Sequence, residues 1–268
     1  SVPELCFEKN DRLDITEYTQ AAMVTTSVAM MKVMEERGIH ADVAAGLSLG
    51  EYCALVAAGV MTADDAIRTV RERGILMQEA VPAGVGGMSA VLGMTADEIN
   101  AVVDDIPNVQ VANYNCPGQL VVAGLKTTLP DFLSDVAANG GRAVPLNVSG
   151  GFHSPFMESA SARLHDVLET MDVKEPTVPV YANYTAEPYT KETAKELLTQ
   201  QVAHPVRWQQ TVEKMIEAGV DTFVEVGAGK TLCGLIKKTS RAVKVYNVED
   251  AETLSAAVQA IRAEGENA

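Results

Sequence analysis

Apolar residues along the chain follow two patterns that alternate from one end to the other. In longer segments they recur at helical spacing, which predicts amphipathic helices, and in shorter segments they are continuous or alternating, which predicts strands. Helices are predicted at 16–38, 51–59, 62–80, 95–106, 129–139, 155–171, 191–203, 207–218, 231–240 and 252–263. Strands are predicted at 42–45, 88–94, 109–115, 119–125, 142–148, 178–183, 222–226 and 244–248. This alternation is typical of an α/β protein.

A group of elements in the middle of the chain differs from its surroundings. Between residues 85 and 149 the predicted order is βαββαβ, which is typical of a ferredoxin-like unit. A run rich in proline and glycine, 82–87, precedes the group, and Ser149-Gly150-Gly151 follows it. The sequence therefore predicts a larger α/β domain, residues 1–84 and 150–268, interrupted by a ferredoxin-like subdomain at 85–149.

A glycine-flanked serine, in the run Gly46-Leu47-Ser48-Leu49-Gly50, lies between a predicted strand and a predicted helix. In that setting G-x-S-x-G is the nucleophile elbow, a tight turn that lifts the serine oxygen clear of the backbone. The alternative is an incidental glycine-rich turn. Ser48 is predicted to be a catalytic nucleophile, and the larger domain an α/β-hydrolase-like core.

A serine nucleophile needs a nearby base, which is most often histidine. His153 follows Gly150-Gly151 and precedes Ser154-Pro155, a typical N-cap and first residue of a helix. The positive end of that helix would favour the neutral ring that a base requires. We expect His153 to be the base, with a structural histidine as the alternative. Surface or packing roles are expected for His40, His165 and His204.

The group that orients the imidazole is predicted to be neutral. No acidic residue occupies an obvious strand end between Ser48 and His153, where a triad carboxylate would lie. The helix that ends near Ala203 is stopped by His204-Pro205, so its last carbonyls lack partners within the helix. One of these carbonyls is expected to accept the ring N–H.

An arginine lies in the middle of an apolar helix face. Arg73 falls on the stripe formed by Ala66, Val70, Met77 and Ala80. Burying a guanidinium is costly unless it meets an anion, so this position indicates a substrate with a free carboxylate. A dicarboxylic half-thioester fits. A snorkelling side chain or an internal ion pair is the alternative.

Composition narrows the class of protein. With 268 residues and 47% hydrophobic content, the chain can bury one large core or a core with an insertion. The net charge of −15 argues against binding to nucleic acid or to an anionic membrane. The four cysteines have neither metal-ligand nor C-x-x-C spacing, and neither a signal peptide nor a membrane span is recognisable, so a cytoplasmic location is predicted.

Several segments together resemble the bacterial malonyl-CoA:acyl carrier protein transacylases of fatty acid synthesis, in order and over almost the whole chain. The matching segments are Ala45-Gly46-Leu47-Ser48-Leu49-Gly50-Glu51-Tyr52, Arg73-Gly74, Met77-Gln78-Glu79-Ala80, Asn113-Tyr114-Asn115-Cys116-Pro117-Gly118-Gln119, Gly151-Phe152-His153-Ser154 and Glu225-Val226-Gly227-Ala228-Gly229-Lys230. The resemblance implies transfer of malonyl from malonyl-CoA to the phosphopantetheine thiol of acyl carrier protein. The reaction would be ping-pong, through a malonyl-serine ester, and would need no metal or cofactor.

The same resemblance implies roles for individual residues. Ser48 would carry the malonyl ester, His153 would be its base, and the main-chain carbonyl of Gln201 would orient the ring. Arg73 would bind the malonyl carboxylate, and the Leu49 N–H would contribute to the oxyanion hole. The remaining implied substrate-binding residues are Phe152, whose bulk would exclude a 2-methyl branch, Asn113 and Asn115.

The chain departs from the family pattern at two places. Leu47 replaces a histidine that usually precedes the serine, and only altered packing is expected from this. The family also begins with a strand and a Gly-Gln-Gly-Ser-Gln loop that supports the oxyanion hole, whereas residues 1–14 here predict only an exposed connecting piece. A truncated chain is therefore expected.

The sequence allows alternatives for one surface region and for the function. The densest basic region, which includes Lys237, Lys238 and Arg241, is either a docking surface for an acidic carrier protein or a solvated helix face. A serine esterase or thioesterase would use the same elbow. A truncated, non-catalytic form would be favoured by the absent N-terminal loop.

Overall fold

The computed structural model describes residues 1–81, 84–146, 148 and 150–265. Its α-helices are α1 (Val2–Phe7), α2 (Thr16–Glu36), α3 (Gly50–Ala57), α4 (Ala63–Ala80), α5 (Ala96–Asp105), α6 (Leu129–Ala138), α7 (Glu158–Glu169), α8 (Ala194–Ala203), α9 (Trp208–Glu217), α10 (Thr231–Thr239) and α11 (Ala251–Gly265). Its strands are β1 (Ala44–Ala45), β2 (Gly86–Leu92), β3 (Val109–Cys116), β4 (Gln119–Leu125), β5 (Arg142–Pro145), β6 (Val180–Tyr181), β7 (Thr222–Val226) and β8 (Lys244–Val248).

Parallel strand pairs form the sheet structure outside residues 85–149. β1 pairs with β6, with Ala44 opposite Val180 and Ala45 opposite Tyr181. β7 pairs with β8 along all five residues of each strand. The largest apolar core lies around the first pair and includes residues of α3, α4, α7 and α8. The turn after β1 is therefore packed firmly on the helices.

A four-stranded antiparallel sheet occupies the middle of the chain, with the strand order β3-β4-β2-β5. Helices α5 and α6 bury Ile99 and Phe132 with sheet residues such as Val91 and Val122 in a separate core. At the β3 edge, Tyr114 N–H donates to the carbonyl of Val206 at 2.9 Å, which ties the sheet to the segment after α8.

The long helices α2 and α4 pack closely against each other. A Cβ at Gly74 would lie 2.6 Å from the Glu17 Cα and 3.0 Å from the Thr16 carbonyl oxygen, so the two backbones nearly touch there. Arg73, the neighbour of Gly74, is 1% exposed. The close approach places buried side chains of α2 opposite Arg73.

Most of the predicted elements are confirmed, several of them with identical bounds. The strands at 119–125, 222–226 and 244–248 match, and most helix ends differ by one or two residues. The predicted cap of α4 is also present, since the Thr62 side chain accepts a hydrogen bond from the Asp65 N–H at 3.1 Å. The structure adds α1, capped by the reciprocal Ser1 and Glu4 bonds of a capping box, within a segment predicted to be an irregular connection.

The other predicted strands and helices need local corrections. The strands predicted at 42–45 and 178–183 pair over only two residues each, because bends precede β1 and a turn begins at Asn183. The helix predicted at 155–171 starts as a 3-10 turn, Pro155–Met157, before α7. The strand predicted at 142–148 is regular only to Pro145; the Leu146 N–H still donates to the Met88 carbonyl at 2.9 Å, and residue 147 lies outside the described residues.

The predicted subdomain boundaries fall partly on residues 82, 83 and 149, which also lie outside the described part of the chain. Strand β2 begins at Gly86, so the last two glycines of the predicted break belong to the sheet. No helix within the described residues has both the length and the apolar character needed to cross a membrane.

Gly74→Ala should destabilise the protein by about 2 kcal/mol, because overpacking against a backbone exceeds the roughly 1 kcal/mol gained in helix propensity. Gly234→Ala is the matched control, since Gly234 lies inside α10 with open space around its Cβ position. That control should gain up to about 1 kcal/mol. Urea unfolding of both variants measures the difference. Equal stability of the two would show that the α2–α4 contact is not tight.

Candidate active site

The turn around Ser48 has the strained geometry expected of a nucleophile elbow. Ser48 adopts a left-handed backbone conformation with φ +53°, which is unfavourable for a residue with a side chain. A Cβ at Gly46 would lie 2.0 Å from the Gly50 carbonyl oxygen, so glycine is required there. Gly50 has open space around its Cβ position and an ordinary φ, so only the first glycine of the motif is sterically necessary.

Asn183 holds this turn from the neighbouring strand. Its Oδ1 accepts the Ser48 N–H at 2.6 Å, and its Nδ2 donates to the Gly46 carbonyl at 2.6 Å. Asn183 follows β6, whose parallel pairing with β1 brings it beside the elbow. The amide therefore compensates the strain by satisfying backbone groups on both sides of the turn.

The predicted base lies beside the predicted nucleophile. His153 Nε2 is 2.7 Å from Ser48 Oγ, and His153 Nδ1 is 2.9 Å from the main-chain oxygen of Gln201. A carbonyl oxygen only accepts, so Nδ1 carries the proton and Nε2 is free to accept the serine hydroxyl. The structure thus brings Ser48, His153 and the helix-end carbonyl of α8 into one hydrogen-bonded row.

His153 is kept neutral by its surroundings. Burial, and then the positive charge of Arg73, lower the pKa of His153 to about 4 from its ordinary 6.5, against hydrogen bonds that raise it. The sequence prediction gave a different reason, the dipole of the following helix. A contribution from that dipole stays a prediction.

Arg73 contacts the serine directly. Its Nη2 donates to Ser48 Oγ at 3.1 Å and to Gln201 Oε1 at 3.0 Å, and its Nη1 donates to Gln20 Oε1 at 2.6 Å. No carboxylate of the described residues forms a salt bridge with this guanidinium, and its buried Nε has no partner among them. Arg73 is therefore buried with neutral acceptors and one unsatisfied donor, which is the condition expected of a carboxylate-binding group.

Glu51 contributes a buried carboxylate that contacts Asn183 and Gln201. Glu51 is 0% exposed, and burial raises its pKa to about 7 from 4.5, against three hydrogen bonds and the charge of Arg73, which lower it. Its Oε1 accepts the Asn183 N–H at 2.9 Å and the Tyr189 hydroxyl, and its Oε2 accepts Gln201 Nε2 at 2.5 Å. The carboxylate touches none of the reacting atoms.

The other predicted site residues lie at varying positions. Leu49 caps the start of α3, and no described residue accepts a hydrogen bond from its N–H. Phe152 is half-buried where the main core meets a small cluster of the antiparallel sheet. Asn113 and Asn115 are buried on β3, with no hydrogen bond from either side chain to Ser48 among the described contacts. Leu47 packs in the core around α9 and β7.

Sequence reasoning missed four residues of the site: Gln20, Glu51, Asn183 and Tyr189. Glu51 follows the elbow directly, and a carboxylate inside the apolar helix α3 was a usable signal. Asn183 was detectable only as a polar residue ending a buried strand. Gln20 and Tyr189 are ordinary residues of a helix and a loop, so their roles emerge only from the packing.

The chain matches a known protein family along almost its whole length. Residues 1–265 match the model of the acyl transferase domain. The chain is 45% identical over 272 aligned residues to "Malonyl CoA-acyl carrier protein transacylase" of Bacillus subtilis (strain 168), covering 98% of this chain and 86% of the relative. It is 37% identical over 251 residues to the protein of that name from Staphylococcus aureus (strain MRSA252), covering 91% and 81%.

Solved structures agree with the sequence relatives. A malonyl CoA-acyl carrier protein transacylase from Clostridium perfringens superposes with a TM-score of 0.96 at 39% identity, over 98% of this chain and 85% of that one. A malonyl-transacylase in complex with a type II PKS acyl-carrier protein superposes with a TM-score of 0.92 at 35% identity, over 96% and 88%. With this mixed α/β fold and the family match along nearly its whole length, the chain belongs to the acyl transferase domain family.

Proposed function

We propose that this chain transfers a malonyl group from malonyl-CoA to the phosphopantetheine thiol of an acyl carrier protein, through an ester on Ser48. The observation that carries the proposal is Arg73, buried without a carboxylate partner and 3.1 Å from the oxygen of Ser48. The names of the relatives support the same activity.

In the first half-reaction Ser48 Oγ bonds to the thioester carbon while its proton passes to His153 Nε2. The carbon–sulfur bond then breaks, the proton goes to the leaving sulfur, and CoA departs as a thiol. The Gln201 carbonyl holds the ring so that Nε2 faces the serine. In the second half-reaction His153 takes the proton of the carrier-protein thiol, the sulfur bonds to the ester carbon, the bond from that carbon to Ser48 Oγ breaks, and the proton returns to Ser48 Oγ.

Arg73 would select the malonyl group by its carboxylate. Nε has no partner, and Nη2 shares its two N–H groups between Ser48 Oγ and Gln201 Oε1, so a two-point contact of a carboxylate with the Nε–Nη2 edge would replace the contact to Ser48. A single methylene separates the carboxylate of malonyl from the reacting carbonyl. The exclusion of 2-methyl branches by Phe152 is part of the proposal.

The oxyanion formed in each half-reaction needs hydrogen-bond donors. The Leu49 N–H follows the nucleophile directly and is proposed as one donor, in the position that the elbow geometry provides. Substrate binding by Asn113 and Asn115 stays a prediction: Asn113 pairs with Val206, and the buried Asn115 Oδ1 has no partner among the described residues.

The acceptor is proposed to be an acyl carrier protein, as the names of the relatives and the complex with a carrier protein support. Docking near Lys237, Lys238 and Arg241 stays a prediction. The ammonium of Lys238 donates to Gln119 Oε1 at 2.8 Å, and that of Lys237 donates to the Val243 carbonyl at 2.5 Å, so both are partly engaged within the chain.

The domain arrangement belongs to the same proposal. An α/β-hydrolase-like core formed by residues 1–84 and 150–268 would carry the elbow and base, with a ferredoxin-like subdomain at 85–149. The antiparallel order β3-β4-β2-β5 of the middle sheet supports the ferredoxin-like subdomain.

Fatty acid synthesis and a cytoplasmic location stay predictions. The assembled Ser48–His153 pair and the buried Arg73 favour transfer over both rival hypotheses, a serine hydrolase and a non-catalytic form.

Ser48→Ala should abolish the covalent intermediate, because Oγ is the atom that accepts the acyl group. Intact-mass and peptide mass spectrometry after exposure to malonyl-CoA should find one malonyl group on the Ser48 peptide of the parent protein and none on the variant. Ser255→Ala, a change on the exposed face of α11, is the control and should load normally. Normal turnover by Ser48→Ala would overturn the mechanism.

Arg73→Met should lower kcat/KM for malonyl-CoA roughly 30- to 3000-fold, the cost of removing one partner of a buried charged contact. Acetyl-CoA has no free carboxylate, so its loading should change much less. Arg71→Met is the control on the same helix, since Arg71 bonds to Glu17 and is 37% exposed. Equal losses with both thioesters would argue that Arg73 serves folding and not selection.

The acid limb of the pH profile of kcat/KM should lie at an unusually low pH. Because the pKa of His153 is about 4, the ring stays neutral as pH falls through 6.5 and gains a proton only near pH 4. We expect kcat/KM to fall with decreasing pH around 4. Acetyl-CoA, which has no carboxylate to titrate, separates the enzyme's ionisation from the substrate's. With acetyl-CoA, a limb near 6.5 would contradict this account of the base.

A further inference from the structure

Glu51 has no part in the proposed chemistry, yet it is bonded to residues that hold the reacting groups. Its carboxylate is fully buried and accepts hydrogen bonds from Asn183, Tyr189 and Gln201. All three neighbours are donors, so both oxygens of the carboxylate act as acceptors. Nothing in the chemistry of Ser48 or His153 requires a carboxylate at this position.

The bond to Gln201 fixes which way that side-chain amide points. With its Nε2 held by Glu51 Oε2, Gln201 also donates from Nε2 to the Ser48 carbonyl at 2.8 Å and presents Oε1 to Arg73 at 3.0 Å. The opposite amide orientation would place an NH2 group against the guanidinium and an oxygen against the Ser48 carbonyl. Two attractive contacts would become repulsive.

We propose that Glu51 is a positioning residue for the transfer reaction: it fixes the Gln201 amide, which in turn holds Arg73 where the substrate carboxylate meets it. Glu51 thereby acts on substrate selection through one intermediate side chain. The inference rests on the proposed function, because carboxylate binding by Arg73 is itself part of that proposal.

Glu51→Gln changes one oxygen to an NH2 group and leaves the size of the side chain almost unchanged. If the remaining oxygen stays with Asn183 and Tyr189, the new NH2 faces the NH2 of Gln201, and the Gln201 amide must turn. If the new side chain turns instead, the Asn183 N–H loses its acceptor. Each arrangement leaves a buried donor unsatisfied.

The measured quantity is the ratio of kcat/KM for loading Ser48 from malonyl-CoA to that from acetyl-CoA, at a pH above the Glu51 pKa of about 7 so that the carboxylate is ionised. Glu51→Gln should lower this ratio about 10- to 100-fold, because the misplaced guanidinium matters only to the thioester with a carboxylate. Gln201→Met removes the amide but keeps the main-chain carbonyl that orients His153, and it should lower the ratio similarly. The double variant should lose no more than Gln201→Met alone, because both changes act through the same amide.

Glu225→Gln is the matched control for a merely structural effect. The Glu225 carboxylate accepts the N–H groups of Leu232 and Cys233 at 3.0 and 2.7 Å, at the start of α10. This variant should lower the melting temperature without changing the ratio. A circular-dichroism melt of every variant accompanies the kinetics.

An unchanged ratio in Glu51→Gln would overturn the inference, and so would equal losses with both thioesters. If Glu51→Gln does not fold, Gln201→Met decides alone, since a normal ratio in that variant removes the link from Glu51 to Arg73. Failure of the proposed function is a separate result. In that case the parent protein would form no malonyl ester on Ser48, so there would be no malonyl-loading rate to compare with the acetyl-loading rate.

Discussion

The left-handed backbone of Ser48 is the constraint on which the site depends. A residue with a side chain holds φ +53° only where the surroundings impose it. Gly46 allows the chain to pass under the Gly50 carbonyl, and Asn183 binds both flanks of the turn. Asn183 reaches the turn only because β6 pairs in parallel with β1. The short parallel pairing of β1 with β6, two residues in each strand, therefore determines where the nucleophilic oxygen lies.

Helix packing places the positive charge of Arg73 beside that oxygen. Gly74 lets α4 approach the backbone of α2 at Thr16 and Glu17, and Gln20 follows one turn later on the same face. Gln20 thus meets Arg73 from one side while Gln201 of α8 meets it from the other. Two helices far apart in sequence, α2 and α8, thus hold the guanidinium of α4 with neutral oxygens, which keeps it in place without a salt bridge.

The sequence predicted the parts of the site that follow local rules. Ser48 was marked by glycines at fixed offsets, His153 by a helix start, Arg73 by its place on an apolar stripe, and the carbonyl of Gln201 by a helix end near Ala203. Each signal lies within a few residues of the position that it marks. Most element bounds were predictable for the same reason, since caps, breakers and periodicity are local.

The residues that hold Ser48 and Arg73 in place could not be predicted in this way. Asn183 and Gln20 are 135 and 53 residues from the partners that give them a role. Nothing near either residue indicates its partner, because the contact is produced by strand pairing in one case and by helix approach in the other. The same limit explains the two-residue strands β1 and β6, whose length is decided by the turns that flank them and not by their apolar runs.

The positive charge of Arg73 has opposite effects on binding and on catalysis before substrate arrives. It attracts a carboxylate; burial is the largest cause of the low pKa of the neighbouring His153, and the charge of Arg73 lowers that pKa further, which makes the ring a weaker base. A carboxylate bound to the guanidinium would cancel part of that field, so the pKa of His153 would rise towards neutrality in the complex. A base is more effective when its pKa is closer to the working pH. On the proposed function, a thioester with a free carboxylate would therefore strengthen the base that activates Ser48, whereas acetyl-CoA would leave it weak. Selection by Arg73 would then act on the chemical step as well as on binding.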